Sequence, residues 1–362
     1  MGLELNNISL VEGGENWISD VTVNFGAGIN VLVGPNLAGK TTLMRIIAGL
    51  TKPTTGTITL NGQDITETNV RDRSVSFVYQ QFINYPAFSV FDNIASPLKV
   101  SSEKPSKEEI ASRVEELAEL LGLTPFLKRK PSELSGGQQQ RVAIARALAR
   151  KSDLVLLDEP LANLDYKLRE QLREELQEIF STADNVVLYS TAEPSEALDF
   201  ATTTVAMFQG RVEQTGQALD LYRNPAKVSV AQALSDPPIN LVSSTVSGSA
   251  VSFGTTAVPF KDSSLSDGQS FTLGLQPHRI HLSRGSGSDA EFTGVVQLAE
   301  VTGSITYVHL TLPTGEYVVI ELDGAHPMEP DSSITGYFAT SDLYGFDAES
   351  GATLFVPKVS VK

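Results

Sequence analysis

The apolar run Ile29-Asn-Val-Leu-Val33 ends in Gly34-Pro-Asn-Leu-Ala-Gly39-Lys40-Thr41, and this junction constrains the fold more than any other feature of the chain. A G-x-x-x-x-G-K-[ST] loop set between a buried strand and a helix, read here over Thr41–Ala48, wraps successive backbone N–H groups around phosphate oxygens. It also points the positive end of the helix at them. Gly34, Pro35, Asn36, Leu37, Ala38 and Gly39 form the cradle. Lys40 is placed to bridge β- and γ-phosphates, Thr41 to bind Mg²⁺ and Thr42 to lie beside the α-phosphate.

The elements around this loop repeat one pattern. Leu154-Val-Leu-Leu157 reads as a second buried strand and Asn185-Val-Val-Leu-Tyr-Ser190 as a third. Ser106 to Leu121 reads as a helix, with Ser106 and Glu109 as a capping box, Ile110, Val114, Leu117 and Leu121 on one face and Gly122 at the stop. Asp165 to Phe180 reads as a charged amphipathic helix, and Pro194 suits the first turn of another. Strands alternating with helices predict an α/β sandwich with a mainly parallel sheet. The second strand ends in Asp158-Glu159, which next to a phosphate cradle puts Asp158 near the metal and Glu159 at the γ-phosphate, placed to orient or deprotonate water.

The texture changes at Ser235-Asp-Pro-Pro238. From residue 240 onward, short strand-like runs (Val251–Phe253, Phe271–Leu275, Thr306–Leu312, Tyr317–Leu322) are broken by Gly, Ser, Pro and Asp, which predicts a small all-β barrel domain over 240–362. His278 and His281 alternate with Arg279 and Ile280 in what reads as a strand, as surface histidines rather than a metal site. The net charge is −16, and residues 240–362 hold 5 basic against 13 acidic side chains, so a nucleic-acid partner is disfavoured as the main one. With 0 cysteines there is no disulfide, zinc-thiolate site or cysteine nucleophile. No apolar run approaches the length of a membrane span, the start Met-Gly-Leu-Glu-Leu-Asn lacks a signal-peptide pattern, and Asn6 stands where myristoylation expects Ser or Thr. These features fit a soluble cytoplasmic chain.

Leu134-Ser135-Gly136-Gly137-Gln138-Gln139-Gln140-Arg141 opens a helical stretch just before the second strand. Together with the cradle and Leu156-Leu-Asp-Glu-Pro160, it resembles the signature of the ATP-binding cassette (ABC) ATPases, with a helical subdomain at about 85–150. Tyr79-Gln80 falls where that family has its Q-loop and Asn163-Leu164-Asp165 where it has its D-loop. The β-rich part resembles the TOBE/OB-type regulatory domain of carbohydrate importers, through Leu273-Gly-Leu-Gln-Pro277-His278 and Val301-Thr-Gly-Ser-Ile-Thr-Tyr-Val308. Gln80–Pro86, Leu161–Arg169 and Ser235–Asn240 are similar to the glycerol-importer branch of the maltose and glycerol-phosphate type.

The resemblance implies a head-to-tail pair of ATPases, each ATP lying between one cradle and the other chain's signature. Ser135, Gly136, Gly137 and Gln138, with Asp165, then face ATP across the pair, while Gln80 reads Mg²⁺ and the γ-phosphate. Two membrane-spanning permease subunits dock by a coupling helix on the segment from Gln81 to Phe91, where Phe82, Tyr85, Phe88 and Phe91 suit an apolar groove. An extracytoplasmic substrate-binding protein acts indirectly, and the chain sits peripherally on the cytoplasmic face of the inner (plasma) membrane. Two departures stand out. Ala192 occupies the place of the family's γ-phosphate histidine, and residues 1–239 contain no histidine at all. This predicts pairing with a different, histidine-bearing ATPase; a symmetric pair and a degenerate, weakly hydrolysing subunit are the alternatives. Thr191 and Glu193 are the neighbours placed to substitute in part. The window Leu10–Glu15, where the family stacks adenine on an aromatic, has none, and Trp17 is read as packing within the first sheet, with its presentation by a shifted loop as the alternative.

Overall fold

The strands Gly28–Val33, Leu154–Asp158 and Val186–Thr191 are almost continuously apolar and almost completely buried, as strands covered on both faces must be. The computed structural model describes residues 2–81, 83–101, 104–162, 164–181, 184–200, 203–260 and 265–358. Backbone contacts divide them into two compact units, Met1–Ala218 and Leu219–Lys362.

In the first unit a six-stranded sheet runs in the order Arg211–Gly216, Thr203–Phe208, Gly28–Val33, Val186–Thr191, Leu154–Asp158, Val75–Val78. All neighbours are parallel except the outermost Arg211–Gly216 and Thr203–Phe208 pair. The predicted α/β architecture is therefore present. The register sets Asp158 opposite Ser190 and Val33 opposite Thr191, gathering chemistry-bearing residues at the carboxyl ends of adjacent strands, where such sheets bind ligands. A second, antiparallel sheet orders Glu15–Gly26, Gly2–Glu12, Thr55–Leu60 and Gln63–Asp64. The two sheets share one core that includes Leu5, Ile18, Phe25, Leu32, Met44, Leu156 and Leu188.

The helical part of this unit holds Val90–Lys99, Lys107–Leu120 and Gly136–Ala149. Ser106 caps the second of these as expected: its Oγ accepts from Glu109 N at 3.2 Å and its N–H donates to Glu109 Oε2 at 2.7 Å. Val114 and Leu117 on the predicted face are fully buried.

The second unit is built from two antiparallel sheets of six and four strands. Phe253 packs against Phe292 and Phe338 with ring centroids 5.0 and 5.1 Å apart. The predicted runs become Ala250–Phe253, Ser270–Leu275, Ile305–Thr311 and Tyr317–Asp323. Two readings need correction here. The division falls at 218, not after 235, because the helix Val228–Ala233 and the chain before it are tied to distant β residues: Val228 N donates to Gly351 O, Thr353 N to Ala226 O, and Ala231 packs with Ile239 and Phe346. His278 and Arg279 lie in a 3₁₀ turn, Pro277–Arg279, because the proline at its start cannot donate to a ladder; His281 alone bridges, to Tyr337.

Candidate active site

The cradle works because its glycines are irreplaceable where they stand. Gly39, the residue before the helix Lys40–Ile47, has φ of 100°, a left-handed conformation that side chains resist. A Cβ on Gly34 would lie 2.3 Å from the carbonyl oxygen of Met207. The loop between them turns Asn36, Leu37, Ala38 and Gly39 around a cavity of about 390 Å³, also lined by Trp17, Lys40, Thr41, Thr42, Gln80 and Glu159. Sequence-predicted residues more than 100 positions apart thus meet in one place.

Lys40 is buried, 4% exposed, and its ammonium donates to Gly34 O at 2.7 Å and Pro35 O at 3.1 Å. It also pairs with Glu159 Oε1 at 3.2 Å, while Gln80 Nε2 donates to Glu159 Oε2 at 2.9 Å. Glu159 itself has φ of 44°. Its N–H donates to both the carbonyl and the hydroxyl of Ser190, at 3.1 and 3.0 Å, which holds the carboxylate in this costly conformation. Next to it, Asp158 accepts from Ser190 Oγ at 2.7 Å and from Thr41 Oγ1 at 3.0 Å. Burial raises the Asp158 carboxyl above the usual aspartate range, and the two hydroxyl hydrogen bonds oppose the rise. Ser190 was not singled out from the sequence; its signal was its place at the carboxyl end of a buried strand, in register with Asp158.

Trp17 overturns the expectation that it packs in the sheet. Along the first hairpin Leu10 faces Ile18 and Val11 faces Asn16, so Trp17 is the extra residue of a β-bulge. Bulges re-aim side chains: the indole is 48% exposed and lines the cradle cavity. The window Leu10–Glu15 just before it holds no aromatic. As the chain's 1 tryptophan, it reports on its own surroundings. We expect ATP to quench its emission and Trp17→Ala to weaken ATP binding by about 5- to 100-fold, the worth of one base-aromatic stack. A titration that leaves the emission unchanged places the base elsewhere.

The signature residues do not line this cavity. Ser135 starts the helix Gly136–Ala149, its Oγ accepting from Gln138 N at 3.3 Å while its N–H donates to Gln138 Oε1 at 3.0 Å. Ser135 and Gly136 are exposed, and Gly137 is buried beside Leu168. Asp165 is exposed, with Oδ1 accepting from Leu168 N at 3.1 Å; Asn163 lies outside the described residues. These groups form a separate, polar surface whose helix start favours an anion.

The neighbours of Ala192 are already engaged. Thr191 Oγ1 accepts from Glu193 N at 2.9 Å, and Glu193 pairs with Arg169 at 3.5 Å. Ala192 is exposed at the end of its strand. None of Thr191, Ala192 and Glu193 lines the cradle cavity. Burial raises the Glu196 carboxyl, which accepts from Tyr189 Oη at 2.9 Å and belongs to the core instead.

Tyr85 and Phe88 are 48% and 44% exposed and line a groove of about 590 Å³ with Phe77, Pro97, Val100 and Arg146. Phe91 does not line it, and Phe82 lies outside the described residues. Among the described residues no helix is long and apolar enough to cross a membrane, and no group of three or more His, Cys, Asp and Glu converges.

Residues 18–162 match the ABC transporter family and residues 273–346 the TOBE domain. The chain is 37% identical over 325 residues to the sn-glycerol-3-phosphate import ATP-binding protein UgpC of Yersinia pestis, covering 89% of each. It is 35% identical over 355 residues to UgpC 3 of Agrobacterium fabrum, covering 96% of this chain and 98% of that one. It is 37% identical over 322 residues to the sulfate/thiosulfate import ATP-binding protein CysA of Methylococcus capsulatus, covering 88% and 91%. Its fold matches a dimeric post-hydrolysis state of the ATP-binding cassette MJ0796 bound to ADP and Pi, with TM-score 0.54 and 30% identity over 60% of this chain and 98% of that one. The cradle, the carboxylate pair that faces it, the capped signature helix and these similarities lead to one conclusion: the chain belongs to the ABC transporter ATPases and carries a TOBE domain after its cassette.

Proposed function

We propose that the chain is the ATP-hydrolysing subunit of an importer for a small polyol or carbohydrate, glycerol being favoured, and that it pairs with a different, histidine-bearing ATPase. The observation that carries the ATPase reading is the convergence of Lys40, Gln80 and Glu159 on one cavity wall, beside Asp158 and Thr41. Lys40 holds the γ-phosphate, and Glu159 orients or deprotonates the attacking water. A hydroxyl, a carboxylate and an amide are hard oxygen donors that suit Mg²⁺, and Thr41, Asp158 and Gln80 would hold it with phosphate oxygens and water. The ion would neutralise phosphate charge as the bond to the leaving phosphate breaks. Import is supported by the relatives, which are named import ATP-binding proteins. Glycerol rests on the likeness of Gln80–Pro86, Leu161–Arg169 and Ser235–Asn240 to that branch.

Asymmetry is supported by Ala192 with its engaged neighbours. A methyl cannot donate to phosphate, so the site on this chain's own cradle is impaired. The partner's cradle closed by this chain's intact signature is the main hydrolytic site. The permeases dock in the groove beside Tyr85 and Phe88, which keeps the chain peripheral on the cytoplasmic face of the membrane.

The test is native mass spectrometry of the complex with ATP turnover of Ala192→His. One copy beside a second ATPase, and turnover that about doubles as the impaired site recovers, is the expected pair of results. Two copies with turnover rising about tenfold point to a symmetric pair. No rise in either assembly sinks the idea that Ala192 limits this site.

A further inference from the structure

The β-rich unit is acidic, with 5 basic and 13 acidic side chains from residue 240 onward. Two of those 5, Arg279 and Lys358, line one cavity of about 320 Å³, joined there by Arg223. Among the described residues none of the three makes an ion pair within 4 Å, although carboxylates outnumber cations across the unit. Asp342 is the one carboxylate on the wall. In a chain of net charge −16, three cations gathered around one hollow form a local positive well that the surrounding surface does not provide.

The hollow has a fixed floor. Gln276 and Tyr344 are each only 5% exposed. Gln276 is held by its Nε2, which donates to Ser235 Oγ at 2.9 Å, and Tyr344 sits on the strand paired with Ser270–Leu275. The 3₁₀ turn Pro277–Arg279 then lifts His278 and Arg279 over the rim. Burial pushes the Tyr344 hydroxyl up to about 12, and the hydroxyl makes a long bond to Tyr222 O at 3.5 Å. Guanidinium forks, an ammonium and phenolic hydroxyls around a hollow this size match the oxygens of a small dianion.

We propose that this cavity is a second anion site, distinct from the nucleotide cradle, that takes inorganic phosphate or a small phosphate monoester. It shares no residue with the nucleotide cradle.

The experiment is calorimetric titration of the full chain with inorganic phosphate and, separately, glycerol 3-phosphate. A saturating non-hydrolysable ATP analogue and Mg²⁺ are present, so that the cradle is filled. The expected result is one saturable event with Kd near or below about 1 mM. The double variant Arg223→Ala/Arg279→Ala should lose about tenfold or more in affinity, whereas Arg284→Ala, whose guanidinium pairs with Glu291, should lose nothing. Because the altered side chains are exposed, far-UV circular dichroism should be unchanged. Binding of phosphate alone identifies the free ion as ligand; tighter binding of the ester identifies the organic moiety as part of it. Either supports the site. No saturable binding, equal affinity in the double variant, or binding of malonate in preference to both phosphates overturns the proposal. None of these outcomes depends on the transported molecule or on pairing.

Discussion

Ser135→Arg is expected to lower ATP turnover of the assembled transporter by about 10²- to 10³-fold, the cost of removing a preorganised donor from a phosphate transition state. The serine is exposed at the start of the signature helix, with its hydroxyl already fixed by Gln138 N. Replacing it removes an N-cap, worth about 1 kcal/mol, and sets a long side chain on the surface proposed to close over the partner's ATP. The quench of Trp17 by ATP reads the other cradle and should survive. Glu159→Gln supplies the contrast: it touches only this chain's own site, so the complex should retain at least half its turnover. In a symmetric pair the two variants would fail together. Equal, severe losses would therefore refute the asymmetric assembly while leaving the ATPase assignment intact.

Lys40→Ala should abolish the Trp17 quench at ATP concentrations that saturate the unaltered chain. The ammonium makes contacts at 2.7, 3.1 and 3.2 Å with Gly34 O, Pro35 O and Glu159 Oε1. A hydrogen bond to a charged phosphate is worth about 1.5–3 kcal/mol, so affinity falls about 10- to 100-fold. The variant also leaves a partly buried carboxylate without its cation, so thermal stability should drop by about 1–3 kcal/mol before any nucleotide is added. Lys40→Arg should not restore binding, because a planar fork does not fit where a point charge reaches back to two loop carbonyls. Undiminished quenching in Lys40→Ala would remove the lysine from the phosphate site.

Local chemistry made much of this molecule legible before any coordinates. The cradle's spacing, the Ser106 cap and the apolar strand ending in Asp158 each depend on residues within a few positions of one another. What escaped depends on distance. Trp17 reaches the cradle because one strand carries an extra residue opposite Leu10 and Val11, and a bulge leaves no mark in a short apolar alternation. The division at 218 depends on Gly351 and Thr353 accepting and donating hydrogen bonds more than 100 residues downstream. The engagement of Glu193 follows from where Arg169 lands, on another helix. His278 was misread although Pro277 beside it argued for a turn.

The pairing of Lys40 with Glu159 has a consequence for how the site empties. In the proposed function an incoming phosphate must win the ammonium from a carboxylate already seated 3.2 Å away, and a departing phosphate returns it to the same partner. The lysine therefore exchanges one anion for another instead of being stripped bare. Binding is weakened at entry and release is eased at exit by the same contact. A motor that has to let go of its spent fuel on every stroke gains from a grip that already has somewhere to rest.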